Sequence, residues 1–251
     1  MGPAVQLIDM VFPGDANHHG TLFGGVALAH MDKVAFLAAS RHGRVPFVTA
    51  SSEKIDFAAP AFAGEMVEVT GRVVRVGTSS LEVEVELVAE APVSGARRLC
   101  TRGRFTLVAQ KGPDTLLPLP PLMLDRSGEP EGALRLAEMV FPGQTNHYGT
   151  LYGGDALRML GKAAFIAATR HARAVLVMAS CERVDFTAPI GEGDMVVLTA
   201  DVTKTGRSSI DVTVELWSES LLSGTTTHAA TARFTLVAVD EQGRPKAIQP
   251  A

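Results

Sequence analysis

The sequence predicts an α+β chain built from two copies of one domain, each an antiparallel sheet wrapped around a long central helix. Three observations carry that reading. The chain aligns with itself at an offset of 129 residues, without a gap, from Met10–Ala109 to Met139–Ala238. The first copy holds one long stretch without proline, from Gly24 to about His42, that is apolar on nearly every side. That stretch is followed by segments in which apolar and polar residues alternate, the period of a strand with one wet face.

The repeat is carried by motifs. Met10–Gly14 (MVFPG) returns as Met139–Gly143, and Asn17–Gly25 (NHHGTLFGG) as Asn146–Gly154 (NHYGTLYGG). Glu53–Pro60 (EKIDFAAP) returns as Glu182–Pro189 (ERVDFTAP), and Arg104–Ala109 (RFTLVA) returns unchanged as Arg233–Ala238. A period this long is a whole domain rather than a solenoid unit. The 251 residues therefore read as two domains, 1–111 and 134–251, joined by a connector over 112–133. The connector carries Pro118, Pro120, Pro121 and Pro130 and is expected to be extended, its Leu and Met residues packing across a surface.

Within the first copy, Gly24 to about His42 (GGVALAHMDKVAFLAASRH) predicts a helix of about five turns. It is rich in helix formers, lacks proline and ends on basic residues. A helix apolar all round is expected to be buried. Met66–Val76, Leu81–Val88 and Leu99–Val108 alternate as strands, with turns at Gly77 and around Pro92–Gly95.

Composition excludes several classes. Hydrophobic residues make up 46% of the chain, ample for packed cores. A net charge of −4 without basic runs argues against a nucleic-acid groove or a polybasic membrane patch. Cys100 and Cys181 answer to Ala229 and Ser52 in the other copy, so neither a disulfide nor a zinc site is expected. No metal is expected at His18, His19 or His30, since His30 and Asp32, two apart on a helix, do not share a face. The first twenty residues lack a charged segment followed by an apolar run, and no stretch is long enough to span a bilayer. A cytoplasmic protein is the expectation.

The residues that differ between the copies are the informative ones. Asp32 has the apolar helical neighbours Leu28, Ala29, Ala35 and Phe36, and its counterpart is Gly161. A carboxylate in apolar surroundings gains the basicity that a general base needs. A carboxylate paired with a basic group is the ordinary alternative, but repeat 2 shows that the fold does without it. Thr49, in the segment VTAS, answers to Met178, so the copy without the carboxylate also lacks this hydroxyl. Asn17 and Asn146 suit a turn. Gly24–Gly25 and Gly153–Gly154 suit tight entry into a helix, and GTSS (Gly77–Ser80) and GRSS (Gly206–Ser209) suit hairpin turns.

NHHGTLFGG, MDKVAF on the helix and VTAS after it together resemble the hotdog-fold acyl-CoA thioesterases, in particular the long-chain and broad-range acyl-CoA hydrolases. The resemblance covers both repeats, nearly the whole chain outside the connector and tails. It implies a double hotdog whose active site lies at the interface between units. The implied reaction is hydrolysis of acyl-CoA to a carboxylic acid and CoA, with no cofactor beyond the CoA of the substrate. It implies that Asp32 is the catalytic carboxylate and that Thr49 orients the base or the water. Asn146 of the other unit positions the water or the carbonyl, and the amide of Gly153 polarises the carbonyl, a contribution of roughly 3–4 kcal/mol. It places the pantetheine arm and phosphates of CoA near Gly77, Ser79, Gly206, Arg207 and Ser208, and it implies a trimer of two-domain chains. Two other readings remain. One is a hydratase or dehydratase on the same fold, although no His stands at a matching helix position to pair with a carboxylate. The other is a non-catalytic acyl-CoA sensor or binding module.

Overall fold

The computed structural model describes residues 4–110, 112, 115–122, 134–182 and 184–248. It divides into two compact units. Unit 1 is Met1–Glu90 and Arg97–Glu129 with the turn Ser220–Thr225; unit 2 is Pro130–Glu219 and Thr226–Ala251 with the turn Ala91–Ala96. Of the expected connector, residues 113–114 and 123–133 lie outside the described residues.

In unit 1, β1 (Val5–Met10) leads through a single 3-10 turn at Pro13–Asp15 to α1 (Gly24–Gly43). Then follow β2 (Phe47–Ser52), the short β3 (Asp56–Phe57), β4 (Met66–Val76), β5 (Ser80–Glu90) and β6 (Arg97–Ala109). The antiparallel sheet has the order β1-β4-β5-β6-β2, with β3 also paired to β6. Unit 2 repeats this order with β7 (Leu134–Met139), α2 (Gly153–Ala172), β8 (Leu176–Cys181), β9 (Asp185–Phe186), β10 (Met195–Thr205), β11 (Ser209–Glu219) and β12 (Thr226–Ala238).

Alternation decides which face meets the helix. On β5, Leu81, Val83, Val85 and Leu87 are buried under α1. Glu82, Glu84 and Glu86 between them point outward and pair with Arg75, Arg104 and Arg102. From α1, Met31, Val34 and Leu37 enter the core, each such side chain contributing about 1.5–3 kcal/mol by leaving water. Both helices end on an arginine in the left-handed conformation, Arg44 and Arg173, whose amides close on the carbonyls of Ser40 and Thr169. Within unit 1 the Arg44 guanidinium also donates to the carbonyls of Ser220 and Leu221. Of the connector, Leu119 is buried, and its amide donates to the carbonyl of Thr78.

One expectation fails. The central helix is not buried on every side: Gly25, Leu28 and Ala29 are exposed, and Asp32 and Phe36 are half-buried. These positions share one stripe. The sheet covers only the opposite face, and an apolar composition does not by itself supply a second layer to cover the rest.

Candidate functional site

Asp32 lies on the open stripe of α1, half-buried rather than enclosed. Thr49 reaches it from β2, its Oγ1 donating to Asp32 Oδ1 at 2.8 Å. The reach depends on a break in register. Thr49 pairs with Leu107 and Ser51 with Thr106, leaving Ala50 as a bulge, and bulges re-aim the side chains beside them. The same bulge recurs in β8 after Met178. There the Met178 methyl stands 3.2 Å from where a Cβ on Gly161 would be. Unit 1 therefore holds a carboxylate–hydroxyl pair where unit 2 holds a methyl group over a glycine.

The two asparagines form identical turns. Asn146 Oδ1 accepts from the amides of Tyr148 and Thr150, and its Nδ2 donates to Thr150 Oγ1. Asn17 does the same with His19 and Thr21. A side-chain amide has two N–H donors, so the bond to Thr150 leaves Asn146 one further donor for a ligand.

Each helix starts without a capping side chain, on Phe23 or Tyr152. The first amides of a helix have no partner within it. The two glycines at each start have different causes. A Cβ on Gly154 would stand 2.7 Å from the Tyr152 ring, and one on Gly25 would stand 2.6 Å from that of Phe23. A Cβ on Gly153 would meet nothing within 4 Å. A side chain at the second glycine would require the exposed aromatic ring before it to shift, whereas one at Gly153 would meet only open space beside the helix amides.

A slot opens beside that point in each unit, between the first helical turn and the residues after the short strand. In unit 2 it is about 230 Å³, with Gly153, Phe186 and Ile190 in its wall. In unit 1 it is about 390 Å³, with Gly24, Phe57 and Ala61 at the matching positions and Leu87 and Cys100 farther in. Glu53–Pro60 is legible as a repeated motif. That its end forms a slot wall has no local sequence signal, because the wall comes from pairing β3 with β6. Cys100 is buried there, and burial pushes its thiol above the usual range. Cys181 is exposed, its thiol also pushed up, by partial burial and by Glu182. Neither environment favours a thiolate nucleophile.

The GTSS and GRSS turns use their backbone internally. Gly77 and Gly206 donate to the carbonyls of Ser80 and Ser209. The carbonyls of Thr78 and Ser79 accept from Leu119 and Ala109, and those of Arg207 and Ser208 accept from Ile248 and Ala238. The Ser79, Arg207 and Ser208 side chains are what these turns can offer a ligand, and Arg207 is exposed. Among the described residues no group of three His, Cys, Asp or Glu side chains is placed to hold a metal, and no helix is long and apolar enough to cross a membrane.

Twice-repeated sheets wrapped on a helix, with a carboxylate–hydroxyl pair in unit 1 and none at the matching positions of unit 2, define a tandem hotdog protein with a single equipped helix. A model of the thioesterase superfamily matches residues 19–96 and 148–224, once in each repeat, and the chain belongs to that superfamily. It is similar along its whole length to a solved acyl-CoA hydrolase from Agrobacterium tumefaciens, with 49% identity, 98% of each chain covered and a TM-score of 0.91. The mouse cytosolic acyl coenzyme A thioester hydrolase is 23% identical over 98% of this chain and 77% of its own length. The uncharacterized acyl-CoA thioester hydrolase YkhA of Bacillus subtilis is 43% identical over 42% of this chain and 62% of its own length.

Proposed function

We propose that the chain hydrolyses acyl-CoA thioesters to a carboxylic acid and CoA at one composite site that takes Asp32 and Thr49 from repeat 1 and Asn146 and the Gly153 amide from repeat 2. The observation that carries this is the 2.8 Å bond from Thr49 to Asp32, set against Met178 over Gly161 at the same two positions of the other repeat. The names of the full-length relatives, acyl-CoA hydrolase and acyl coenzyme A thioester hydrolase, support the substrate class.

In this reading the thioester carbonyl accepts from the Gly153 amide, at a helix start where no side chain competes for it. Asp32, held by the Thr49 hydroxyl, takes a proton from a water that Asn146 positions through its remaining N–H. The water oxygen bonds to the carbonyl carbon, the C–S bond breaks, and the proton passes to the departing CoA thiolate. Direct attack by Asp32, giving a mixed anhydride that water then opens, balances equally well. Incorporation of labelled oxygen into Asp32 in a single turnover separates the two routes. The CoA arm runs along the hairpin turns, where Arg207 and Ser208 of one repeat or Ser79 of the other meet its phosphates. Gly77 and Gly206 serve by shaping those turns.

The same reading takes the chain as cytoplasmic, in line with the name of the mouse relative. It also takes the chain as a trimer. Support for assembly comes from exposed apolar residues outside the slots that recur at equivalent positions: Phe23 and Tyr152, Leu28 and Leu157. Light scattering on the purified chain tests the trimer.

A thiol-release assay over an acyl-CoA chain-length panel tests the activity. Asp32→Asn is expected to lower kcat by about 10²–10⁴-fold. Thr49→Val is expected to lower it about tenfold, and Thr49→Ser to keep most of it. Binding of acyl-CoA without any thiol release by the unaltered chain would favour the sensor reading instead.

A further inference from the structure

Both repeats keep the slot, although only one keeps the carboxylate. The nine residues that line the unit 2 slot fall, at the 129-residue offset, on nine of the twelve that line the unit 1 slot. The unit 1 slot is the larger: Ala58 and Ala61 stand where unit 2 has Thr187 and Ile190, and Asn17, Leu87 and Cys100 line it as well. Its volume of about 390 Å³ lies within the ~300–1,000 Å³ typical of small-molecule clefts. Polar and apolar surface line it about equally, and two of its wall residues, Leu87 and Cys100, are buried. Its polar lining includes Asn17 and Thr21, which keep the same mutual bonds as Asn146 and Thr150.

We infer that the unit 1 slot is a second acyl-CoA site, one that binds the thioester and does not hydrolyse it. This rests on the proposed hydrolase reading, because the ligand class is carried over from the matching slot beside Gly153. The apolar part of its wall, with Phe57, Pro60 and Leu87, takes the acyl chain. The Asn17–Thr21 turn and the uncapped start of α1 take the carbonyl, as their counterparts do in repeat 2. What is missing is a base. Gly161 and Met178, the counterparts of Asp32 and Thr49, carry neither carboxylate nor hydroxyl. A thioester held there is polarised with nothing to deprotonate a water, so it stays intact. The chain then binds twice as many acyl-CoA molecules as it turns over at once.

The test is a stoichiometry. The probe is butyryl-CoA or palmitoyl-CoA, whichever the unaltered chain hydrolyses faster, titrated calorimetrically into full-length Asp32→Asn protein. Two equivalents per chain are expected. Ala58 is an exposed slot residue, so adding Ala58→Trp blocks the slot without disturbing the core, and one equivalent should remain. Ala58→Trp alone should leave kcat in the unaltered chain within about twofold, since the residue lies outside the proposed catalytic set. The mirror change Thr187→Trp should remove the other equivalent and the turnover with it. One equivalent in Asp32→Asn, unaltered by Ala58→Trp, would overturn the second site and leave the hydrolase reading standing. Two equivalents indifferent to Ala58→Trp would overturn it as well, by placing the second site elsewhere. Failure of the unaltered chain to hydrolyse either thioester is the distinct result that sinks the hydrolase reading itself.

Discussion

The Met178 methyl stands 3.2 Å from where a Cβ on Gly161 would sit, at the two positions that repeat 1 joins by the bond from Thr49 to Asp32. The two differences in repeat 2 therefore belong to one packing arrangement. Without a carboxylate the hydroxyl has no acceptor, and a longer apolar side chain covers the bare helix surface. Restoring the carboxylate alone would press it against that methyl group.

The two positions should consequently revert only together. Gly161→Asp by itself is expected to add no turnover. Gly161→Asp combined with Met178→Thr re-creates the pair and should raise kcat per chain by up to about twofold, as the second slot becomes competent. Steady-state thiol release in the two variants checks this. A gain from Gly161→Asp alone would mean that Met178 does not obstruct the site.

Gly153 offers a way to separate fold from function. A Cβ there meets no protein atom within 4 Å, so Gly153→Ala should leave the melting temperature unchanged or raise it, by up to about 1 kcal/mol in stability. The same methyl group projects where a thioester approaches the helix amide, and kcat/KM is expected to fall about tenfold. Gly24→Ala, the counterpart, should spare kcat/KM. Thermal melts and initial rates on the two variants decide it.

The asparagines should cost the same and matter differently. Each accepts two backbone amides and donates to a threonine, so replacing either by Ala is expected to remove about 1–2 kcal/mol of stability. Only Asn146→Ala should also reduce kcat, by about tenfold or more. Equal kinetic losses from Asn17→Ala and Asn146→Ala, measured well below their melting temperatures, would contradict a single hydrolytic site.

Helix and sheet meet through a compensated pair. A Cβ on Gly71 of β4 would come within 2.7 Å of Val34 Cγ1 on α1, and the equivalent positions of unit 2 carry Ala200 and the smaller Ala163, both buried. Gly71→Ala is expected to cost about 1–3 kcal/mol by overpacking. Val34→Ala should relieve it, so that denaturant titration finds the double variant more stable than the sum of the single changes allows.

Much of the fold was legible because its elements are written locally. The Met66–Val76 strand begins and ends where its alternation does, and the helix from Gly24 runs to Gly43, one residue beyond the basic pair that signals its end. The two-residue strand Asp56–Phe57 was not legible, since its only cause is an edge position beside β6. Nor was the open stripe of α1. A run of Val, Leu, Ala and Phe reads as buried whether one or two layers cover it, and periodicity carries no information about the second layer.

For the site, the self-alignment was enough to find the asymmetry, Asp32 and Thr49 against Gly161 and Met178. The sequence by itself determined a duplicated α+β chain, its helix and long strands, and which repeat keeps a carboxylate. Only the tertiary structure decided that Thr49 donates to Asp32, because residues 17 apart meet solely through β2, its bulge and its packing beside α1. The same holds for the slot, whose walls come from segments far apart in the chain. Local composition sets which backbone conformation each segment prefers, whereas distances between side chains on different elements are set by register and packing, which no segment encodes alone.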